Sequence, residues 1–449
     1  MRTRATVRSI LTRADGGARL SEQPAPPPLD EVGGLPALLV DTTRRFQVIE
    51  GFGGAFTEAA ATVWQQLGEH ARETLLSDYF DPRAGHGYTL CRVHMNSCDF
   101  ALGNYAHVER ADDFALESFS IERDRRALLP FIQAALRVAD GPIKLLVSPW
   151  SPPAWMKTTG EMNHGGRLRP ECRAAWAQCF VRFIRAYEAE QVPVWAVSVQ
   201  NEPMAHQRWD SCLYTAEEER DFVRDHLGPA LHAAGLGHVR IVIWDHNRDS
   251  MVERASVVYA DAEAAKFVWG TGFHWYGNEH FDHVQLVHDA WPDKRLLFTE
   301  GCQEGGPHLG SWEVGERYAR NVINDLNRWT VGWIDWNLLL DERGGPNHAG
   351  NYCSAPILAD STSGALMHQS SYWVLGHFAR HFKPGAHRVL CASARHEIEA
   401  TAVLNPDGSI ATVATNRHGH ALHFALLIDG KAWACELPPR SIATFVAGA

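Results

Sequence analysis

The feature that most constrains this chain is an alternation running from about residue 46 to 385. Short apolar runs, rich in β-branched and aromatic residues, are each followed by a longer amphipathic segment. The strand candidates are FQVIEGFGG (46–54), YTLCRVHM (88–95), IKLLVSPW (143–150), VPVWAVSVQNE (192–202), VRIVIWDH (239–246), FVWGTGFHWY (267–276), RLLFTEG (295–301) and VGWIDWNL (331–338). Helical periodicity marks the stretches between them, for example 122–139, 171–190 and 216–235, and also 370–382 after the last strand. In the first of these, Leu128, Leu129, Ile132, Ala135 and Leu136 recur on one stripe, the spacing of a half-buried helix. Eight strand–helix units over residues 46–385 are what a (β/α)8 TIM barrel requires. A doubly wound open sheet is the other fold compatible with the same alternation.

The flanks have a different texture. From residue 386 short alternating strands follow one another, separated by turn signals such as Asn405-Pro406-Asp407-Gly408. Residues 1–45 carry further strand-like pieces around Pro24-Ala25-Pro26-Pro27-Pro28. Neither flank is long enough for a generous core of its own. The economical expectation is one side β-sandwich built from both termini, giving segments 1–45, 46–385 and 386–449.

Charge and composition narrow the function. The formal net charge is −11 and there is no basic run, which argues against nucleic acid or an anionic membrane as partner. No apolar stretch approaches the roughly 20 residues of a membrane-spanning segment. The first residues carry arginines without an apolar core or a small-residue cleavage site, and are read as mature sequence. The nine cysteines form no C-x-x-C pair and there is no N-x-[ST] sequon, so a cytoplasmic location is expected. Sixteen tryptophans fit either a large aromatic core or a cleft that stacks on sugars.

A (β/α)8 barrel builds its active site from the carboxyl ends of its strands. Those ends carry Glu58, His94, Asn96, Trp150, Asn201, Glu202, Asp245, His246, His274, Tyr276, Glu300, Trp336 and Asn337. Glu202 (in Gln200-Asn201-Glu202-Pro203) and Glu300 (in Phe298-Thr299-Glu300-Gly301) end the fourth and seventh strands, and barrel closure sets them across one mouth. Acetal hydrolysis needs such a pair, one carboxylic acid to protonate the leaving oxygen and one carboxylate to attack the anomeric carbon. A gap of roughly 5–5.5 Å gives net retention. Trp150, Trp336 and Tyr276 can stack on the C–H faces of a pyranose, while Asn201, Asn337 and Glu58 serve its hydroxyls. Two other classes share these residues, a non-catalytic carbohydrate-binding barrel and a metal-dependent hydrolase using His274 and Asp245. The Gly51-Phe52-Gly53-Gly54 run has Phe56 where a dinucleotide fingerprint needs its last glycine, and no G-x-S-x-G elbow is present.

Read together, the segments 51–60 (GFGGAFTEAA), 148–153 (SPWSPP), Gln200-Asn201-Glu202-Pro203, His274-Trp275-Tyr276, Thr299-Glu300-Gly301-Cys302, and 332–337 (GWIDWN) with Gly345-Pro346-Asn347 resemble glycoside hydrolase family 30. The resemblance implies a retaining β-glycosidase of glucosylceramidase or β-glucosidase type, with Glu202 as acid/base and Glu300 as nucleophile. It places Asn201 at the 2-hydroxyl, Trp150, Trp336 and Asn351 around the sugar, and His274 and Tyr276 beside the nucleophile. Glu58 stands where glucocerebrosidase carries an aspartate that grips the outer hydroxyls. The substrate implied is a β-glucoside or oligosaccharide, with sphingolipid glucosides among the family's substrates, and no metal or organic cofactor is expected. β-1,6-Glucanase, β-xylosidase and β-fucosidase activities within the family remain open, and the oligomeric state is not specified. The expected cycle starts with Glu300 ionised and Glu202 protonated.

Overall fold

The computed structural model describes residues 7–448; of the strand-like piece TVRSILT (6–12) near the start of the chain, Thr6 lies outside the described residues. Eight parallel strands close into a barrel: β1 (Gly51–Phe56), β2 (Leu90–Met95), β3 (Lys144–Pro149), β4 (Ala196–Ser198), β5 (Arg240–Asn247), β6 (Val268–His274), β7 (Arg295–Glu300) and β8 (Thr330–Asn337). Closure is made by β8 pairing in parallel with β1, in register from Gly332 and Gly51 to Asp335 and Gly54 and shifted by one residue at Asn337. Close approach of β1 to β2 requires Gly53, because a Cβ there would meet the Leu90 carbonyl oxygen at 1.8 Å.

The floor of the barrel is apolar. Leu90, Leu146, Ala196, Val242, Leu297 and Ile334, one from each of six strands, form a buried cluster. Side chains two residues further along a strand share its face, so Arg92, Ser148, Ser198 and Trp336 make the next layer up, towards the mouth. This is why a charged residue can stand inside the apolar run of β2. On β5 the parity breaks. Trp244 and Asp245 adopt left-handed backbone (φ 71° and 53°), and the register to β6 shifts beside them. The bulge turns the Asp245 carboxylate towards Arg92 and Ser198 where plain alternation would put Trp244.

Helices follow each strand, from Glu58–Gln66, capped by the Thr57 hydroxyl, to Ser370–Ala379. Three expected elements differ in extent. The run 46–54 is divided, its first residues finishing strand Ala37–Val48 of the sandwich before β1 begins at Gly51. β4 spans only Ala196–Ser198, and Asn201 and Glu202 lie in the loop beyond it. The helix expected over 216–235 contains a wide turn, Val223–Leu227, between Ala216–Phe222 and Gly228–Ala233. Pro229 supplies the reason, since it offers no N–H and its ring would strike the carbonyl four residues back.

Both termini build the β-sandwich. Strand Val7–Arg13 pairs with Ser441–Ala447 along its whole length, and Ala37–Val48 lies between His387–Ser393 and Leu422–Ile428. Its interior is an apolar cluster that includes Leu38, Val40, Phe424, Leu426 and Phe445. It docks on the last helix through buried His377, whose ring nitrogens meet Thr444 Oγ1 at 2.8 Å and Thr12 Oγ1 at 2.9 Å.

Candidate active site

Arg92 organises the mouth. Fully buried, it donates from Nη1 to Glu300 Oε2 (2.5 Å), from Nη2 to Asp245 Oδ2 and Asn201 Oδ1 (both 2.8 Å), and from Nε to Ser148 Oγ (2.9 Å). A guanidinium suits this position because its planar fork reaches several acceptors at once. Tyr276 Oη donates to the other oxygen, Glu300 Oε1, at 3.0 Å. The nucleophile candidate is thus held from both sides, leaving little freedom of orientation.

Glu202 is held differently. Pro203 follows it, its φ is +46°, and its amide donates to the Asp245 carbonyl at 3.0 Å, so a left-handed backbone aims the side chain into the mouth. His274 bridges the two halves of the site, with Nε2 3.0 Å from Asp245 Oδ1 and Nδ1 3.2 Å from Glu202 Oε1. Carboxyl oxygens of Glu202 and Glu300 and a ring nitrogen of His274 all lie within 4.8 Å of one another.

The charges are interdependent. Burial alone would lower His274, but the charge of Glu300 and the hydrogen bonds to Asp245 and Glu202 outweigh it and push the imidazole up to about 9. Burial works to raise the Glu202 carboxyl, yet His246 and His274 beside it prevail and hold it below the ordinary glutamate value. For Glu300 burial dominates, reinforced by the charges of Glu202 and Asp245, and the carboxyl sits above that value in spite of His274 and Arg92. In the sugar-free site the surroundings thus act on the two carboxyls in opposite directions, down on Glu202 and up on Glu300. Like-charge repulsion between the two glutamates is symmetrical. His246 and His274 both act on Glu202, whereas Glu300 also feels the like charges of Glu202 and Asp245.

A cavity of about 230 Å³ opens over these groups. Of the residues expected to meet substrate, Trp150, Asn201, Glu202, Tyr276, Glu300, Trp336 and Asn351 line it. Trp150 and Trp336 stack on each other (centroids 5.1 Å apart, planes at 21°), and Arg92 lies over the Trp150 ring at 4.7 Å. Three expected residues do not reach the cavity. His274 is fully buried behind it, with both nitrogens committed to carboxylates. Glu58 is turned away: Arg123 Nε donates to its Oε1 at 2.8 Å and Nη2 to its Oε2 at 3.1 Å, while the Leu102 amide donates to Oε2 at 2.8 Å. Asn337, also considered for sugar hydroxyls, accepts from the Thr57 hydroxyl at 2.6 Å and does not line the cavity.

Several lining residues had not been singled out, among them Asp99, Phe100 and Trp209. Asp99, between Cys98 and Phe100 in the loop after β2, accepts from Asn351 Nδ2 (3.0 Å) and Asn347 Nδ2 (3.3 Å). Burial pushes its carboxyl up to about 7, against the pull of these two amides. The sequence signal for Arg92 was a lone charge inside a strand run; for Asp99 there was none beyond its nearness to a strand end. The metal-hydrolase alternative fares poorly here. The acidic groups already carry Arg92 and His274 as cationic partners, and neither His274 nitrogen is left to coordinate an ion.

A closed parallel barrel with paired glutamates in an aromatic-walled cleft at the strands' carboxyl ends has the design of a glycoside hydrolase. Residues 49–382 match the glycosyl hydrolase family 30 TIM-barrel domain and residues 385–445 the family 30 β-sandwich domain. Over 399 residues the chain is 37% identical to the lysosomal acid glucosylceramidase of Mus musculus, covering 85% of this chain and 77% of that one. The crystal structure of SrfJ from Salmonella typhimurium superposes with a TM-score of 0.94 at 39% identity, covering 98% of this chain and 99% of that one. The endo-β1,6-glucanase BT3312 gives 0.90 at 26% identity, covering 99% and 100%. The chain belongs to glycoside hydrolase family 30 and is a glycosidase.

Proposed function

We propose that this glycosidase is a retaining β-glycosidase acting on uncharged β-glucosides, with Glu300 as nucleophile and Glu202 as acid/base. The observation that carries it is the pair itself: two carboxylates from β7 and the loop after β4, with oxygens within 4.8 Å, in one cavity. That gap leaves no room for a water between glutamate and sugar, as an inverting mechanism demands. Asp99, Glu202, Glu300 and Glu304 all face the cavity, so a uronic acid or a sugar phosphate would meet like charge.

Glu300, aimed by Arg92 and Tyr276, attacks the anomeric carbon as the glycosidic C–O bond breaks, and Glu202 protonates the departing oxygen. His274 Nδ1, 3.2 Å from Glu202 Oε1, is placed to pass Glu202 the proton it needs. Once Glu300 is an ester its negative charge is gone, and Glu202 as carboxylate takes a proton from the water that attacks the same carbon. Two inversions restore the β-configuration. Arg92 and Asn201 are joined, so the free amide of Asn201 is held ready for the sugar's 2-hydroxyl.

The aglycone reading is glucosylceramidase-like, supported by the identity to the mouse enzyme. A β-1,6-glucanase is the second reading, supported by near-complete superposition on BT3312. Initial rates on p-nitrophenyl β-glucoside, β-xyloside, β-fucoside and β-galactoside, with β-1,6-gluco-oligosaccharides and glucosylceramide beside them, separate these. Proton NMR of the first product gives the anomer. A β-anomer is expected, and an α-anomer formed first refutes the double displacement. Full activity in a chelator is expected as well, and its loss would restore the metal reading.

A further inference from the structure

The mouth also holds a pair of nucleophilic side chains that the double displacement does not use. Cys302, just past Glu300 in the loop after β7, and Cys353, just past Asn351 beyond β8, are 4% and 3% exposed, and both line the cavity. Their thiols share a hydrogen bond. Among the described residues, which include all nine cysteines, no other two thiols meet in this way. The backbones on either side are already joined. Glu304 and Cys353 form an antiparallel bridge, the Ser354 amide donates to the Gln303 carbonyl at 2.8 Å, and the Gly306 amide donates to the Tyr352 carbonyl at 3.0 Å. A covalent bond between the sulfurs therefore costs little further chain entropy, because no long loop has to close.

The two thiols are unequal. Burial pushes both up, Cys353 well above the ordinary range, while for Cys302 hydrogen bonds with Cys353 and Tyr276 act against the rise. Cys302 is thus the thiol that ionises more readily, and the thiolate is the attacking form. We propose that Cys302 and Cys353 are a redox-active pair in the wall of the catalytic cavity, which hydrogen peroxide entering that cavity converts into a disulfide. The Cys302 sulfur attacks one peroxide oxygen, the O–O bond breaks, and a sulfenic acid and a water form. The Cys353 sulfur then attacks the sulfenic sulfur. An S–S bond forms, the S–O bond breaks, and the hydroxyl leaves as water with the Cys353 proton. Two thiols lose two electrons in all, and the peroxide is reduced to two waters. The effect on turnover rests on the reading of Glu300 as nucleophile. Cys302 Sγ lies 3.4 Å from Tyr276 Oη, and that hydroxyl is the donor to Glu300 Oε1. Drawing the sulfur towards Cys353 takes away this neighbour of Tyr276 and shifts the segment that carries Glu300. The nucleophile loses its aim, and turnover falls until a reductant reopens the bond.

The test treats wild type, Cys302→Ser, Cys353→Ser and Cys391→Ser with hydrogen peroxide and then reduces part of each sample with dithiothreitol. Peptide mapping by mass spectrometry, with free thiols alkylated, reads the chemistry, and kcat/KM on p-nitrophenyl β-glucoside reads the effect. Wild type is expected to give two peptides linked through Cys302 and Cys353, lighter than their reduced sum by a pair of hydrogens. Its kcat/KM should fall about 10–100-fold, the scale of one hydrogen bond to a charged group, and return with dithiothreitol. Cys391→Ser, which alters a thiol of the sandwich, should respond as wild type does. Cys353→Ser should give no linked peptides and carry Cys302 on to the sulfinic acid, a loss that dithiothreitol does not reverse. Cys302→Ser should hold its own starting rate through the treatment. Thiols that stay free in wild type, or oxidation of Cys302 alone with Cys353 intact, overturn the pair. Linked peptides with kcat/KM unaltered refute the control of turnover. If wild type hydrolyses no glycoside, the functional reading fails, while the linked peptides decide the pair by themselves.

Discussion

The mouth of the barrel and the interior of the sandwich are both buried, yet they are built on opposite terms. At the mouth, Arg92, Asp245 and His274 have no exposed surface, and Glu300 almost none. Each is tied to another charge. The sandwich core is instead an apolar cluster of Leu38, Val40, Phe424, Leu426 and Phe445. Ion pairs of this kind cost nearly as much in lost hydration as their attraction returns, so they add little to stability. What they give is orientation: Glu300 with one donor on each oxygen, and Glu202 between imidazoles. The mouth thus fixes reacting groups, while the sandwich and barrel walls hold the chain folded.

If this division is right, changes at the mouth move kinetics and changes in the sandwich move only stability. Glu300→Gln should show the largest effect, a fall in kcat on the order of 10⁶-fold, the scale of losing a covalent nucleophile. Unfolding followed by circular dichroism should find the variant folded. Glu202→Gln should cost about 10²–10⁴-fold on a glucoside with a poor leaving group and far less on a dinitrophenyl glucoside, which needs little protonation. Equal losses on both would take Glu202 out of the acid role.

Leu426→Ala tests the other region. Burial is complete at this position, so the unfolding free energy should drop by about 2–5 kcal/mol with kcat/KM unaltered at low temperature. A kinetic defect in the folded variant would mean that the two regions are coupled.

Protonation separates them again. The native pKa of His274, about 9, is above the ordinary histidine value, so its stabilising contribution is complete below about pH 6.5 and is lost as pH rises through 9. Denaturation midpoints should fall across that window, and His274→Gln should flatten the slope. The groups facing it, Glu202, Asp245, Glu300 and His246, should leave the alkaline limb of kcat tied to the same titration. The smallest effect is expected at the junction of the regions. Arg440 reaches Glu316 at 2.6 Å and Glu313 at 3.0 Å but is about one-third exposed, and Arg440→Ala should cost no more than about 1 kcal/mol, with activity unchanged.

Much of the architecture was legible in the chain. Alternation of apolar runs with helical stripes specified the barrel, and period-two runs at both ends specified the sandwich. The misjudged stretches have local causes, a proline that widens a helix around Val223–Leu227 and a strand, Ala37–Val48, that spans the change from sandwich to barrel. At the site, residues at strand ends were found because the barrel places strand ends together. Glu58 and His274 sat at the right ends and still failed to reach the cavity, because a neighbouring Arg123 and a neighbouring Asp245 claim them.

The sequence by itself determined the class of fold, the glutamate pair and the aromatic wall, since each depends on a residue type at a position that strand periodicity fixes. Tertiary structure alone decided which polar groups face the cavity and which carboxyls pair with Arg92 and His274. Both depend on side chains from β2, β5 and β6 that are more than a hundred residues apart in places, and on a bulge that reverses the facing of Asp245. Hydrogen bonds and Coulomb forces at 3 Å are set by such distances, which no local pattern encodes.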